Sequence, residues 1–154
     1  MSLKEYIKKR ILKGKKASPE PAPIEKKSPG KKLIFVVHEH KATHLHYDLR
    51  LEMNKVLKSW AVPKTPPKAK GIKRLAIQVE DHPLDYAKFQ GVIPEGHYGA
   101  GVVKIWDKGT YELKHKDKKK IEVVFHGKKL KGNYVLVKTS YGSKPEKSWL
   151  FFKV

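Results

Sequence analysis

The chain has 154 residues, with 35 basic side chains against 15 acidic ones, a formal net charge of +20 and no cysteine. The length suits one domain with a real core and is too short for two comfortable ones. Missing cysteines exclude disulfides, cysteine zinc sites and thiol nucleophiles, while a charge this large implies a polyanionic partner, foremost nucleic acid.

Residues 1–32 open with MSLKEYIKKRIL, a short helix candidate, and continue as KGKKASPEPAPIEKKSPGKK. The second part is Pro, Lys and Ser with hardly any apolar content. It reads as an extended basic arm, either a solvated tail or a segment lying over a binding site. No apolar run approaches the length of a membrane span and no secretory signal is evident, so a cytoplasmic protein without membrane association is expected.

From Leu33 the pattern changes to short strands. Runs at 33–39, 45–52, 56–62, 74–80, 101–107, 110–116, 120–127, 133–139 and 148–154 are β-branched or aromatic-rich and separated by Gly, Pro, Asn or Lys turns. DYAKFQG (85–91) suggests a helical turn. Nine runs with no long helix between them point to an antiparallel barrel or sandwich. The expected fold is mostly β: an antiparallel β-barrel over 33–154 with short flanking helical segments, preceded by the arm.

HEHKATHLHYDLRLE (38–52) carries four of the eight histidines, with Asp48 and Arg50 close behind. In LHYDLRLE the apolar set Leu45, Tyr47, Leu49 and Leu51 alternates with His46, Asp48, Arg50 and Glu52. Successive strand side chains point to opposite faces, so the four polar groups share one. The same alternation in RLAIQVEDH sets Leu75, Ile77 and Val79 against Arg74, Gln78, Glu80 and His82. Other outer faces here are lysine-rich, whereas these two carry the ligand and acid–base repertoire. Of the 35 basic residues only Arg10, Arg50 and Arg74 are arginines, the residue suited to planar bidentate phosphate recognition.

His46-x-Asp48 places two ligand types on one strand face, and His40 across a short connection completes a His-His-Asp set suited to Mn, Fe or Zn. Three readings compete. An iron-oxygenase facial triad, with His97 or His126 as its distal ligand, lacks an arginine beyond Arg74 to anchor an oxo-acid. A cupin reading of His38-Glu39-His40 lacks the glutamate and glycines that should follow. A metal-dependent phosphoesterase unites Arg50, Arg74 and the basic surface, because phosphoryl transfer needs an ion and cations around the developing charge. EGHYGAG (95–101) is glycine-rich but matches no P-loop.

LHYDLRLE, SWAVPK, RLAIQVEDHPLDYAKFQGVIPEGHYGAG and KIWDKGTYEL together resemble the 3′-phosphoesterase domain of bacterial DNA ligase D, also found as a free-standing archaeal protein. The resemblance implies manganese-dependent healing of DNA 3′ ends: removal of a terminal 3′-ribonucleoside, then of the 3′-phosphate. It implies His40, His46 and Asp48 as metal ligands for Mn2+, with Zn2+ or Co2+ as other candidates. Arg50 and His82 would hold the scissile phosphate, with Tyr86 close by. Lys64 and Arg74 would be further phosphate-handling groups, weighted toward 3′-phosphate removal, and Glu80 a supporting carboxylate. In the arm, where the family shows Arg-Asp-Phe before Thr-Pro-Glu-Pro, this chain keeps Tyr6, Arg10 and the Pro-Glu-Pro around Glu20. It has Ile11 for the Asp, Ser18 for the Thr and a longer spacing, with Arg10 and Glu20 the expected arm contacts. Expected partners are DNA 3′ ends on a primer–template and, since no polymerase or ligase segment is evident, a DNA ligase in trans. The alternative is a non-catalytic, basic nucleic-acid-binding barrel.

Overall fold

A Met53-Asn54-Lys55-Val56 hairpin shows how local chemistry sets the register. Asn54 and Lys55 adopt φ of 51° and 68°, a two-residue turn with both central residues left-handed, whose twist matches that of paired strands. The computed structural model describes residues 33–97 and 99–154. The expected arm, with Arg10 and Glu20, lies outside the described residues.

Among the described residues there are nine strands: β1 Leu33–Lys41, β2 Leu45–Met53, β3 Val56–Val62, β4 Lys73–Pro83, β5 Gly91–Ile93, β6 Gly101–Lys116, β7 Lys120–His126, β8 Lys131–Lys138 and β9 Ser148–Lys153. Eight of them close into an antiparallel barrel in the order β1-β2-β3-β4-β9-β8-β7-β6, and β6 returns to pair with β1. Closure leaves these strands without an open edge. Short β5 adds to the first residues of β6. The helical segments are two 3-10 turns, Leu84–Lys88 and Pro145–Lys147.

Two details depart from the sequence reading. The runs at 101–107 and 110–116 are one strand, β6, and the glycine that reads as a breaker lies inside it. A Cβ on Gly109 would stand 2.3 Å from the His126 carbonyl oxygen, so glycine permits close strand approach there rather than a turn. Strand β5, at three residues, is too short to show an alternation.

Inward-facing Phe35, Leu49, Leu51, Trp60, Tyr111, Phe125, Tyr134 and Phe151 fill the barrel. Phe125 packs against Phe35 and Tyr134 at centroid separations of 4.5 and 5.1 Å. At roughly 1.5–3 kcal/mol for each large apolar side chain buried, this interior supplies most of the folding drive. Asp107, buried in β6, accepts backbone N–H bonds from Lys128, Lys129 and Leu130 at 3.0, 3.0 and 2.8 Å and so fixes the β7–β8 turn.

A smaller apolar cluster, Val36, Leu57, Tyr86 and Ala87, lies on the opposite, outer face of β1 and β3. Segment 84–93, from the first 3-10 turn to β5, forms a strap over that face. The outer surface of β1–β3 is thereby roofed, and polar side chains on it become buried.

Candidate functional site

The β1–β2 ladder assembles the site through cross-strand pairing. His40 is the Cα partner of His46, His38 of Asp48, and Val36 of Arg50. On β3, Ser59 pairs with Arg50 and Ala61 with Asp48. Partners opposite one another in an antiparallel ladder share a face, so all these side chains stand on the outer face beneath and beside the strap. Of these, His40, His46, Asp48, Arg50 and Ala61 line a cleft of about 260 Å³, together with His82, Tyr86 and exposed Glu80.

Three side chains can hold a metal ion: His40, His46 and Asp48 each offer a ligand atom, all within 4.8 Å of one another. His46 Nε2 is 3.4 Å and His40 Nδ1 3.8 Å from Asp48 Oδ2. The opposite nitrogen of each ring meets a backbone carbonyl: His40 Nε2 donates to Gly99 at 2.7 Å, and His46 Nδ1 donates to His44 at 3.2 Å. The other nitrogen of each ring is thereby turned toward Asp48, the orientation that outer hydrogen bonds impose on metal-ligating histidines. Two imidazole nitrogens and a carboxylate oxygen converging on one point are a donor set that fits a divalent cation. His126 instead pairs with Glu112 at 2.7 Å on the surface and belongs to no such cluster.

Burial pushes the His46 pKa down, but the hydrogen bond and charge of Asp48 outweigh it and raise the value. Burial likewise pushes Asp48 up; Arg50, His40 and His46 outweigh it and hold the carboxyl well below the usual carboxylate range.

Arg50, 3% exposed, is held by several partners. Its Nε donates to His38 Nδ1 at 3.0 Å and its Nη1 to Ser59 Oγ at 2.9 Å. Nη1 also lies 3.2 Å from His82 Nδ1, Nη2 3.4 Å from Asp48 Oδ2, and the guanidinium carbon 5.0 Å from the Tyr86 ring centroid. Ser59 Oγ passes the bond on to the Leu57 carbonyl at 3.1 Å.

His82 reaches this group through an irregularity in β4. Ser59 pairs with Val79, yet Leu57 pairs with His82, so β4 carries one extra residue between them. In a regular strand His82 would share the face of Gln78, whose Oε1 accepts from core Trp149 Nε1 at 3.2 Å. The bulge turns it to the outer face instead. The sequence reading of β4 is therefore inverted: Val79 lines the cleft and Arg74 stands on the core side, paired with Phe151. Burial, then Arg50, depress the His82 pKa to about 3, and the same causes depress His38 to about 3. Tyr86 packs on His82 at 4.9 Å between ring centroids and on Phe89 at 5.0 Å.

Lys64 and Arg74 are not brought into the cleft. Lys64 is exposed just beyond β3, and Arg74 Nε donates to the Thr65 carbonyl at 2.8 Å. Two residues without a role in the sequence reading prove integral: His38, fully buried, and Ser59, both holding Arg50. The signal for His38 was present in its even spacing with His40, His46 and Asp48. Ser59 carries no such signal, because a lone serine in a strand is commonplace. In EGHYGAG, it is the Gly99 carbonyl that meets the site.

The family model described as DNA Ligase D 3'-phosphoesterase domain matches residues 38–138. The multifunctional non-homologous end joining DNA repair protein LigD of Mycobacterium tuberculosis is 47% identical over 135 residues, covering 85% of this chain and 18% of that protein. The LigD proteins of Pseudomonas aeruginosa and Mycolicibacterium smegmatis are each 42% identical, over 157 and 152 residues, covering 98% and 92% of this chain. The chain spans under a fifth of the length of these relatives. Among the described residues no helix is long and apolar enough to cross a membrane. With the matched segment running through the His-His-Asp cluster, Arg50 and His82, the chain belongs to the DNA ligase D 3′-phosphoesterase domain family.

Proposed function

We propose that this protein is a metal-dependent phosphoesterase of DNA 3′ ends, which removes a terminal 3′-ribonucleoside and then the remaining 3′-phosphate. The observation that carries the proposal is the convergence in one cleft of a cation-binding set, His40, His46 and Asp48, with the buried, fork-shaped cation of Arg50. A phosphate oxygen between them would meet positive charge on two sides. The bound ion, Mn2+ or alternatively Zn2+ or Co2+, would polarise that oxygen and lower the pKa of a water.

The chain's own residues supply the remainder. Arg50 neutralises phosphate charge from a dry, fixed position, where such interactions are strongest. His82 is neutral, and its Nδ1 has two neighbours, Arg50 Nη1 at 3.2 Å and the Glu80 carbonyl at 3.0 Å. Arginine only donates, so accepting from it leaves the proton on Nε2, free to donate to a phosphate oxygen. Giving the Nδ1 proton to Glu80 is the alternative tautomer, and an anion in the cleft favours the first. Tyr86 packs against both groups and Glu80 is the supporting carboxylate. Lys64 and Arg74 serve the more highly charged 3′-phosphate, and Arg10 and Glu20 act from the arm. DNA ends are the substrate class and a DNA ligase the partner.

Incubating the protein with manganese and a labelled primer–template bearing one 3′-ribonucleotide tests this on a gel. Sequential appearance of a 3′-phosphate and a 3′-hydroxyl strand is expected. Binding of the DNA without any turnover, with or without the ion, would instead establish a non-catalytic nucleic-acid-binding barrel.

A further inference from the structure

His38 is 0% exposed and lies on β1 two residues after Val36, which fills the same roofed face with an aliphatic side chain. Packing alone does not call for an imidazole there. Its two nitrogens are nevertheless both committed. Nε2 meets the Phe89 carbonyl at 3.1 Å and Nδ1 meets Arg50 Nε at 3.0 Å. A carbonyl only accepts and a guanidinium only donates, so a single tautomer satisfies both: Nε2 protonated, Nδ1 bare. The ring also stands edge-on to Tyr86, 5.3 Å between centroids. It is not among the residues lining the cleft.

The arithmetic of Arg50 shows what this bond does. A guanidinium has five N–H donors in a rigid plane. His38 takes the one on Nε, Ser59 and His82 face Nη1, and Asp48 faces Nη2. One Nη2 hydrogen remains without a partner among the described residues. Fixing the Nε corner fixes the plane, and with it the direction of that remaining donor.

We propose that His38 is a positioning residue that sets the plane of the Arg50 guanidinium from behind, so that its Nη2 edge is presented to an anion in the cleft. Through the Phe89 carbonyl it also ties that plane to the strap carrying Tyr86. The assignment rests on the reading of Arg50 as a phosphate-binding group. Without the Nδ1 acceptor, the buried Nε–H has no partner and the guanidinium turns to find one. A carboxamide carries one acceptor and one donor at a similar separation, so glutamine can take over both bonds, whereas leucine can take neither.

The test uses the full chain with Mn2+ and inorganic phosphate as probes, alongside turnover of a 3′-phosphate primer–template. In H38L, Mn2+ affinity measured by titration calorimetry should stay within about twofold of wild type, since His38 is not a ligand. Phosphate affinity and kcat/KM should fall roughly tenfold or more, the usual consequence of orphaning a buried charged donor. H38Q should recover most of both. In wild-type protein, 15N shifts of the His38 ring should report Nε2–H and bare Nδ1, a measurement that stands even where H38L does not fold. Wild-type phosphate affinity in H38L, a folded H38Q as impaired as H38L, or an Nδ1–H tautomer would each overturn the proposal. Absence of turnover in the wild type would retire the phosphoesterase reading, while the phosphate and tautomer measurements would still decide the role of His38.

Discussion

His40 and His46 face one another as direct partners across the β1–β2 ladder, their ring centroids 4.7 Å apart, and each is oriented by a different backbone carbonyl. The two rings are thus aimed by separate segments, the Gly99 backbone for His40 and the β1–β2 turn for His46. Removing either ring, or Asp48, should lower Mn2+ affinity by at least tenfold and abolish turnover while the far-ultraviolet circular dichroism stays that of a barrel. Asp48→Ala with full activity at limiting manganese would refute the ligand assignment.

Lys64 and Arg74 should behave as one unit. Arg74 holds the Thr65 carbonyl, next to Lys64, rather than reaching the cleft. A terminal phosphate carries about −1.5 to −2 charge near neutral pH, more than a diester, so weakening this unit should slow 3′-phosphate removal most. Single alanine variants should accumulate the 3′-phosphate strand on a gel, and the double variant should be little worse than Lys64→Ala. Additive losses would show that the two act separately.

Acid should unfold the metal-free protein early. His38 and His82 are neutral when folded, with pKa values depressed from 6.5 to about 3. Between those limits the unfolded chain takes up two protons that the folded chain does not. Stability should therefore fall as pH drops below about 6.5, with a slope approaching about 2.7 kcal/mol per pH unit. His46, whose pKa is raised, contributes in the opposite sense, and only above about 6.5. Urea titrations from pH 7 to 4 will read the slope, and a flat profile would contradict neutral burial of the two rings.

Asp107→Ala should destabilise the fold without touching the cleft. Three backbone N–H groups of the β7–β8 turn lose their acceptor, at a cost of about 2–3 kcal/mol, and thermal denaturation will show it as a lowered Tm. Metal affinity should be unaltered. A parallel loss of metal binding would indicate that the turn and the site are coupled.

DNA binding should weaken steeply with salt, by about 0.9 log units in affinity per log unit of salt for each phosphate neutralised. Fluorescence anisotropy between low and moderate salt measures the slope. A slope near zero would mean that the +20 charge is not used on DNA.

What could be read beforehand, and what could not, follows from how far each signal reaches along the chain. The alternation in LHYDLRLE is local, and it put His46, Asp48 and Arg50 on one face correctly. For β4 the same reasoning failed, because one extra residue between Val79 and His82 reverses the alternation and leaves no mark in the composition. Gly109 looks like any turn glycine until the His126 carbonyl is placed beside it. That His38 and Ser59 hold Arg50 depends on the β1–β2 and β2–β3 registers, and so on tertiary pairing that periodicity does not report.

The polar ladder on the roofed face has a consequence for how such a protein ages in evolution. His38, Asp48, Arg50 and His82 occupy a buried surface whose neighbours are Val36, Leu57 and Tyr86. Well-packed apolar residues in place of such buried ionic clusters are often neutral or stabilising by about 1–4 kcal/mol. A copy of this chain freed from its task would thus gain firmness by drifting toward leucine, valine and methionine at those positions. Folding alone gives no reason to retain the cluster; only use does.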